Sequence, residues 1–275
     1  MITRYTWRTL VLEAALWAIA AISIAVPLWI LISVALKRPQ DVSTGLTFPN
    51  PVNWSNFTTA WTQGSLDTAF LTSVLITVTT VLFSVVTSAL AAYPLARVTR
   101  TWSKLVFGLF LAGLIIPSAL GVLPLYITMV KAGFVGNVAA VILIYVGQTV
   151  SFNVFLYVAF LRALPRDYEE AAVIDGCGPV RTYWSIVFPL LRPVTGTIVV
   201  LNVISVYNDF FTPLLYLNGS ANATLPLALR NFSSTYFTNY GAIFAGLIVA
   251  LVPVLLFYFL LQKKIISGFA GGLKG

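Results

Sequence analysis

Six stretches of this chain are each long and apolar enough to cross a bilayer as a helix. They cover roughly residues 10–36, 68–96, 105–130, 138–161, 193–217 and 241–262. A hydrocarbon core about 30 Å thick is crossed by about 20 apolar residues in helical form. In lipid every backbone N–H and C=O needs an internal partner, and a helix supplies one. Composition agrees: of 275 residues 59% are hydrophobic and 9% charged, against about 25% charged in soluble domains. So few charges cannot cover a water-facing surface. The expected fold is all-α, a polytopic bundle of six transmembrane helices forming a single domain over residues 1–275. The first run follows Arg4 and Arg8 but is much longer than a signal peptide's core of about 7–15 residues, so it reads as an uncleaved anchor.

The net charge of +8 would suggest nucleic acid in a soluble protein. Here the cations fall between the apolar runs, and topology explains them better. With the N-terminus in the cytoplasm, one side holds Arg4, Arg8, Arg97, Arg100, Lys104, Arg162, Arg166, Arg181, Arg192, Lys263, Lys264 and Lys274. The other holds Lys37, Arg38, Lys131 and Arg230. That asymmetry predicts a multi-pass protein with both termini cytoplasmic. No nucleic-acid partner is expected. The chain has one cysteine, Cys177, no histidine and no GxxxxGK[ST] phosphate loop. No metal site and no catalytic residue is expected, and energy for any pumping must come from another chain.

The segment 162–192 is the most informative. It holds four of the eight acidic residues: Asp167, Glu169, Glu170 and Asp175. Pro165 and an acidic first turn favour a helix start, and Gly176 with Gly178 favours a stop. A second helix follows, because Val180, Tyr183, Trp184, Val187, Phe188 and Leu191 recur on one helical face. The expectation is a helix, a two-glycine elbow, and an amphipathic helix lying on the bilayer.

Glu170-Ala171-Ala172, three residues, Gly176, nine residues, then Ile186-Val187-Phe188-Pro189 resembles the EAA loop of ABC importer permeases, with Phe188 where Leu is usual. The resemblance runs from about residue 68 to the end. Ala91-Ala92-Tyr93-Pro94-Leu95-Ala96-Arg97 is similar to the end of the second span in the carbohydrate branch. Ile116-Pro117 with Leu123-Pro124 is similar to its broken third span, and Tyr207-Asn208-Asp209-Phe210 stands where that branch usually has Trp-Asn-acidic-Phe. The tail Ile266–Gly275 resembles that of maltose-type G subunits.

This resemblance implies the type I importer fold and a permease subunit for a sugar or sugar-like solute in a bacterial or archaeal inner membrane. It implies a second permease subunit, two ATPase subunits carrying ATP and Mg, and an extracytoplasmic solute-binding protein, with no cofactor in this chain itself. It assigns Glu170, Ala171, Ala172, Asp175, Gly176, Ile186 and Pro189 to coupling with the ATPase. It places the tail residues Gly271, Gly272, Lys274 and Gly275 toward the ATPase dimer. Tyr207, Asn208, Asp209 and Pro117 are candidates for the translocation path. An Asp at the centre of a span costs about 2.5–3.5 kcal/mol, so Asp209 either faces that path or bonds to a neighbouring helix. The rival class is an ion channel or ion-coupled carrier. It would need several intramembrane charges, and Asp209 alone lies well inside a span.

Overall fold

The computed structural model describes residues 7–41, 45–230 and 239–272, and among these every regular element is helical. In chain order they are α1 (Trp7–Ala35), α2 (Ser55–Gln63), α3 (Leu66–Arg97), α4 (Thr101–Ile115), α5 (Ser118–Lys131) and α6 (Val138–Ala163). Next come α7 (Asp167–Ile174), α8 (Pro179–Thr182), a π-helical turn (Tyr183–Val187), α9 (Phe188–Leu190) and α10 (Arg192–Asn208). The last are α11 (Phe211–Tyr216), α12 (Leu225–Leu229) and α13 (Tyr240–Gly272). Among the described residues, four helices are long and apolar enough to cross a membrane, and the number rises to six if two bent pairs each count as one span.

The third span breaks as the resemblance implies, the fifth breaks where the sequence reading has a continuous helix, and both breaks have local causes. The third span, expected over 105–130 and similar to a broken span at Ile116-Pro117, is α4 and α5 meeting at 98°. Pro117 lacks an N–H and disfavours helical backbone in the residue before it. Ile116 is accordingly extended, at φ −71° and ψ 120°. Pro124 lies inside α5 without breaking it.

The fifth span, expected as 193–217, ends at Asn208 and resumes as α11. Asp209 is extended there, at ψ 126°. Its carboxylate accepts from the N–H groups of Phe211 at 2.9 Å and Thr212 at 3.3 Å. That cap offers the backbone an alternative to continuing α10. Asp209 therefore stands at a helix break and not inside a continuous span.

The chain forms two packed units. One comprises residues 1–67 and 228–252, and the other residues 68–227 and 253–275. In the first, α1 is apolar all round and largely exposed, with Leu16 66% and Trp17 76% accessible. A helix of this kind has lipid or another chain as its solvent. Gly246 packs so closely under Leu229 that a side chain there would collide with it.

The second unit has two apolar cores. One joins Val85, Ala89 and Ala92 of α3 to Val154, Tyr157 and Leu161 of α6 and to Tyr183, Val187 and Leu191. The other gathers Ile76, Val141, Ile144, Val206, Tyr216 and Leu227. Polar contacts tie the spans together: Asn202 Nδ2 donates to Ser84 Oγ at 3.1 Å, and the hydroxyls of Tyr157 and Thr195 meet at 2.9 Å. In an apolar medium such bonds act as interhelical glue.

The segment after the elbow is helical as expected, with a bend and a π turn that were not expected. Pro179–Leu190 meets α10 at 69°, and part of its apolar face packs into the bundle core. Tyr183, Val187 and Leu191, each four residues apart, are buried, whereas Val180 is 71% exposed and Trp184 44%. A π turn lies within the segment, with Phe188 N–H reaching back to Tyr183 C=O. Of the face drawn at α spacing, Tyr183, Val187, Phe188 and Leu191 turn inward, and Arg181, Ser185 and Arg192 on the polar side are exposed.

Candidate functional site: a loop helix latched to the end of α3

The eight residues of α7, Asp-Tyr-Glu-Glu-Ala-Ala-Val-Ile, are too few to be stable alone, and both ends are fastened. At the start, Arg166 C=O accepts from the N–H groups of Glu169 at 2.8 Å and Glu170 at 3.0 Å. Asp167, Glu169 and Glu170 place negative charge on the first turn, where the helix dipole favours it. At the finish, Gly176 has φ +75°, a left-handed conformation that glycine adopts without strain. Gly176 N–H donates to Val173 C=O at 3.0 Å and Cys177 N–H to Ala172 C=O at 2.9 Å, the paired bonds of a Schellman motif. Gly178 then extends at ψ 163°, and Pro179 opens α8. The two-glycine elbow is thus a cap followed by a restart.

The side chains of α7 divide into two faces. Inward, Ala172 is buried. Glu169, three residues earlier and so on the same face, reaches the last turn of α3. Its Oε1 lies 2.8 Å from Arg97 Nε, and its Oε2 accepts from Tyr93 Oη at 3.0 Å. Arg97 Nη2 also donates to Leu164 C=O at 3.2 Å, and Arg166 Nη2 donates to Arg97 C=O at 3.1 Å. Arg97 and Glu169 keep only 11% and 15% of their side-chain surface exposed. Removing one partner would leave the other charge part-buried and uncompensated. The pair also sets a cation in the last turn of one helix and an anion in the first turn of the next, and both dipoles favour it.

Outward, α7 presents Glu170, Ala171 and Asp175 to solvent, together with apolar Tyr168, Val173 and Ile174, the last 85% exposed. An open groove of about 630 Å³ runs along this helix. Its walls include Tyr93, Arg166, Glu169, Glu170, Val173, Ile174, Cys177 and Pro179. The structure thus gathers Glu170, Ala171, Ala172, Asp175 and Gly176 on α7 and its cap. Ile186 and Pro189 stand apart, half-buried in the segment after the elbow. Sequence reasoning missed Glu169, Tyr93 and Arg97 as a group. The available signal was the adjacent Glu169–Glu170 pair: neighbours on a helix point about 100° apart, so the two cannot share one environment.

The remaining candidates lie elsewhere. Asp209 Oδ2 accepts from Tyr145 Oη at 2.9 Å besides capping α11. Asn208 is exposed, its Nδ2 donating back to Ile204 C=O at 2.9 Å. Tyr207 is buried and lines an apolar cavity of about 140 Å³ with Val74, Thr77, Pro253 and Phe257. Pro117 sits exposed at the α4–α5 bend, outside the hydrogen bonds around Asp209. Gly271 and Gly272 end α13, while Lys274 and Gly275 lie outside the described residues.

Residues 84–269 match the family described as binding-protein-dependent transport system inner membrane component. The chain belongs to this family. It is a membrane permease of the ABC-importer type, and relatives match over nearly its whole length. It is 34% identical over 256 residues to the melibiose/raffinose/stachyose import permease protein MelC of Bacillus subtilis, covering 93% of each chain. It is 32% identical to the multiple sugar-binding transport system permease protein MsmG of Streptococcus mutans, covering 98% of this permease and 96% of that one. A crystal structure of a bacterial ABC transporter that imports the acidic polysaccharide alginate shares its fold, with TM-score 0.82, 19% identity, and 94% and 98% of the two chains covered.

Proposed function

We propose that this permease forms one half of the translocation path of an ATP-driven ABC importer for a sugar or oligosaccharide. In this reading α7 is the helix that a separate ATPase subunit grips. The observation that carries it is the two-faced build of α7: Glu169 is clamped to α3, while Ala171, Val173 and Ile174 stand free beside an open groove. An exposed apolar patch flanked by charge is a docking surface. The small Ala171 lets a partner approach the backbone closely. Closure of the ATPase would push α7 and, through Arg97, the end of α3.

The sugar assignment is supported by relatives that import melibiose, raffinose and stachyose, starch degradation products, and multiple sugars. The positive-inside asymmetry supports cytoplasmic termini, with α7 on the ATPase side. On that side the tail bearing Gly271, Gly272, Lys274 and Gly275 would also reach the ATPase. Hydrolysis itself, with its ATP and Mg, belongs to that partner. A second permease subunit, a pair of ATPases and an extracytoplasmic binding protein complete the assembly. Tyr207 and Asn208, near the break at Asp209, are our candidates for the path.

Affinity purification of the tagged chain from its native membrane, followed by mass spectrometry, tests this reading. The expected result is a stoichiometric ATPase and a second permease chain. A homo-oligomer without any ATPase, even after gentle cross-linking, would assign the chain to an ion channel or ion-coupled carrier instead.

A further inference from the structure

Helix α2 carries an aromatic ridge that faces away from its own unit. At about 100° per residue, Trp54, Phe57 and Trp61 fall within about 60° of one another, opposite Asn56 and Ala60. Asn56 and Ala60 are buried, whereas Trp54 is 67% and Trp61 47% exposed. The Trp54 and Phe57 rings lie 5.9 Å apart.

The level of this ridge is set by Asn56. Its Nδ2 donates to Ala35 C=O at 2.8 Å and to Lys37 C=O at 2.7 Å, the last residue of α1 and the second residue beyond it. A side chain on Gly241, the second residue of α13, would collide with the same amide. So α2 is pinned where two apolar helices of membrane-spanning length end. The ridge continues inward along α1. Trp29 Nε1 donates to Leu46 C=O at 2.9 Å, and the Trp29 ring lies 5.7 Å from Phe48. Leu46 and Phe48 are themselves more than half exposed. Trp29 lies six residues, or about 9 Å, inward from Ala35.

Aromatic side chains with one apolar face and one polar edge concentrate where hydrocarbon meets headgroups. We propose that α2 is an interfacial anchor. Its Trp54–Phe57–Trp61 ridge, with Trp29 and Phe48, lies in the carbonyl and headgroup layer of the phospholipid bilayer, with exposed Arg38 at the level of the phosphates. Lipid is the occupant because the ridge is continuous with the exposed apolar surface of α1, where Leu28 and Ile32 are each more than 40% accessible. The anchor fixes the depth at which the ends of α1 and α13 sit.

Spin labels on Trp54→Cys and Trp61→Cys test this, read in the tagged chain purified with its native partners and placed in phosphatidylcholine–phosphatidylglycerol vesicles. Gln40→Cys supplies the water-side reference, and the signal of the unsubstituted chain, which carries Cys177, is subtracted. Both ridge labels should favour oxygen over a water-soluble nickel chelate several-fold relative to position 40. Nickel access equal to that at position 40 would place the ridge in water. Immobile labels shielded from both reagents would place it under a protein partner. Either result overturns the proposal. Trp54→Phe gives a second reading without a label: the lost fluorescence should be the part quenched by lipids brominated near the carbonyls. Loss of an acrylamide-quenched part instead would contradict it.

Discussion

Arg97, in the last turn of α3, holds Glu169, in the first turn of α7, at 2.8 Å. Tyr93 donates to the other oxygen of the same carboxylate at 3.0 Å. The loop helix therefore does not hang from its two chain connections alone: a third tie joins it to the end of a membrane-length helix.

Glu169→Gln keeps an acceptor for Tyr93 but removes the charge facing Arg97. Arg97→Glu sets two carboxylates together and should be worse. The swapped pair Arg97→Glu with Glu169→Arg should recover part of the loss. A coupling energy of about 0.5–3 kcal/mol from the double-mutant cycle is expected for residues in contact. Thermal unfolding of the purified complex, with solute taken up per ATP hydrolysed, measures both effects. Additive single mutants with normal coupling would show that the pair is incidental.

Gly176 has open space where a Cβ would sit, so substitution there meets no clash and tests backbone conformation alone. An L-residue held left-handed costs about 1–2 kcal/mol, and Asn less than others. The expected order of uptake is Gly, then Asn, then Ala, with Val lower. Gly176→Pro should be inactive or lose the ATPase, because it also removes the N–H that bonds Val173 C=O and fixes φ near −65°. Normal uptake and assembly by the proline variant would refute a role for the cap.

Asp209 serves Tyr145 and the first turn of α11 at once. Asp209→Asn keeps an acceptor and should stay near wild-type stability. Asp209→Leu loses the cap, at about 0.5–2 kcal/mol. Uptake should fall while the ATPase still co-purifies. If the Leu variant loses the ATPase, the break at 209 bears on assembly and not on the path.

Asn202→Leu leaves Ser84 Oγ without the donor it has now. Cycles of this kind in membrane bundles average about 0.6 kcal/mol. A small drop in the unfolding midpoint, shared with Ser84→Ala and not added to it, is expected.

Hydropathy located α1, α3, α6 and the start of α13 within a few residues, because length and apolarity suffice where lipid is the solvent. Hydropathy alone marks neither the break at Ile116 nor the one at Asp209; the first was legible from Ile116-Pro117 and its likeness to a broken span. Pro117 and Pro124 look alike in sequence, yet only the first breaks its helix, at the extended Ile116. Asp209 reads as a misplaced charge until its carboxylate is seen capping Phe211 and Thr212. In the loop, Pro165, the acidic turn and Gly176 announced α7 and its stop correctly, since caps are local. The π turn at 183–187 carries no such local mark, though most of the face drawn from Val180 to Leu191 is buried or half-buried. The Arg97–Glu169 tie joins residues 72 apart in the chain, a relation that no local pattern encodes.

The most direct measurement places a photo-crosslinking amino acid at Ile174, the most exposed apolar residue of α7, in the native membrane. Irradiation should give an adduct with an ABC-type ATPase, weakened in the Gly176→Pro background. An efficient crosslinker at 174 that yields only lipid adducts or copies of this chain would contradict the docking of an ATPase on α7.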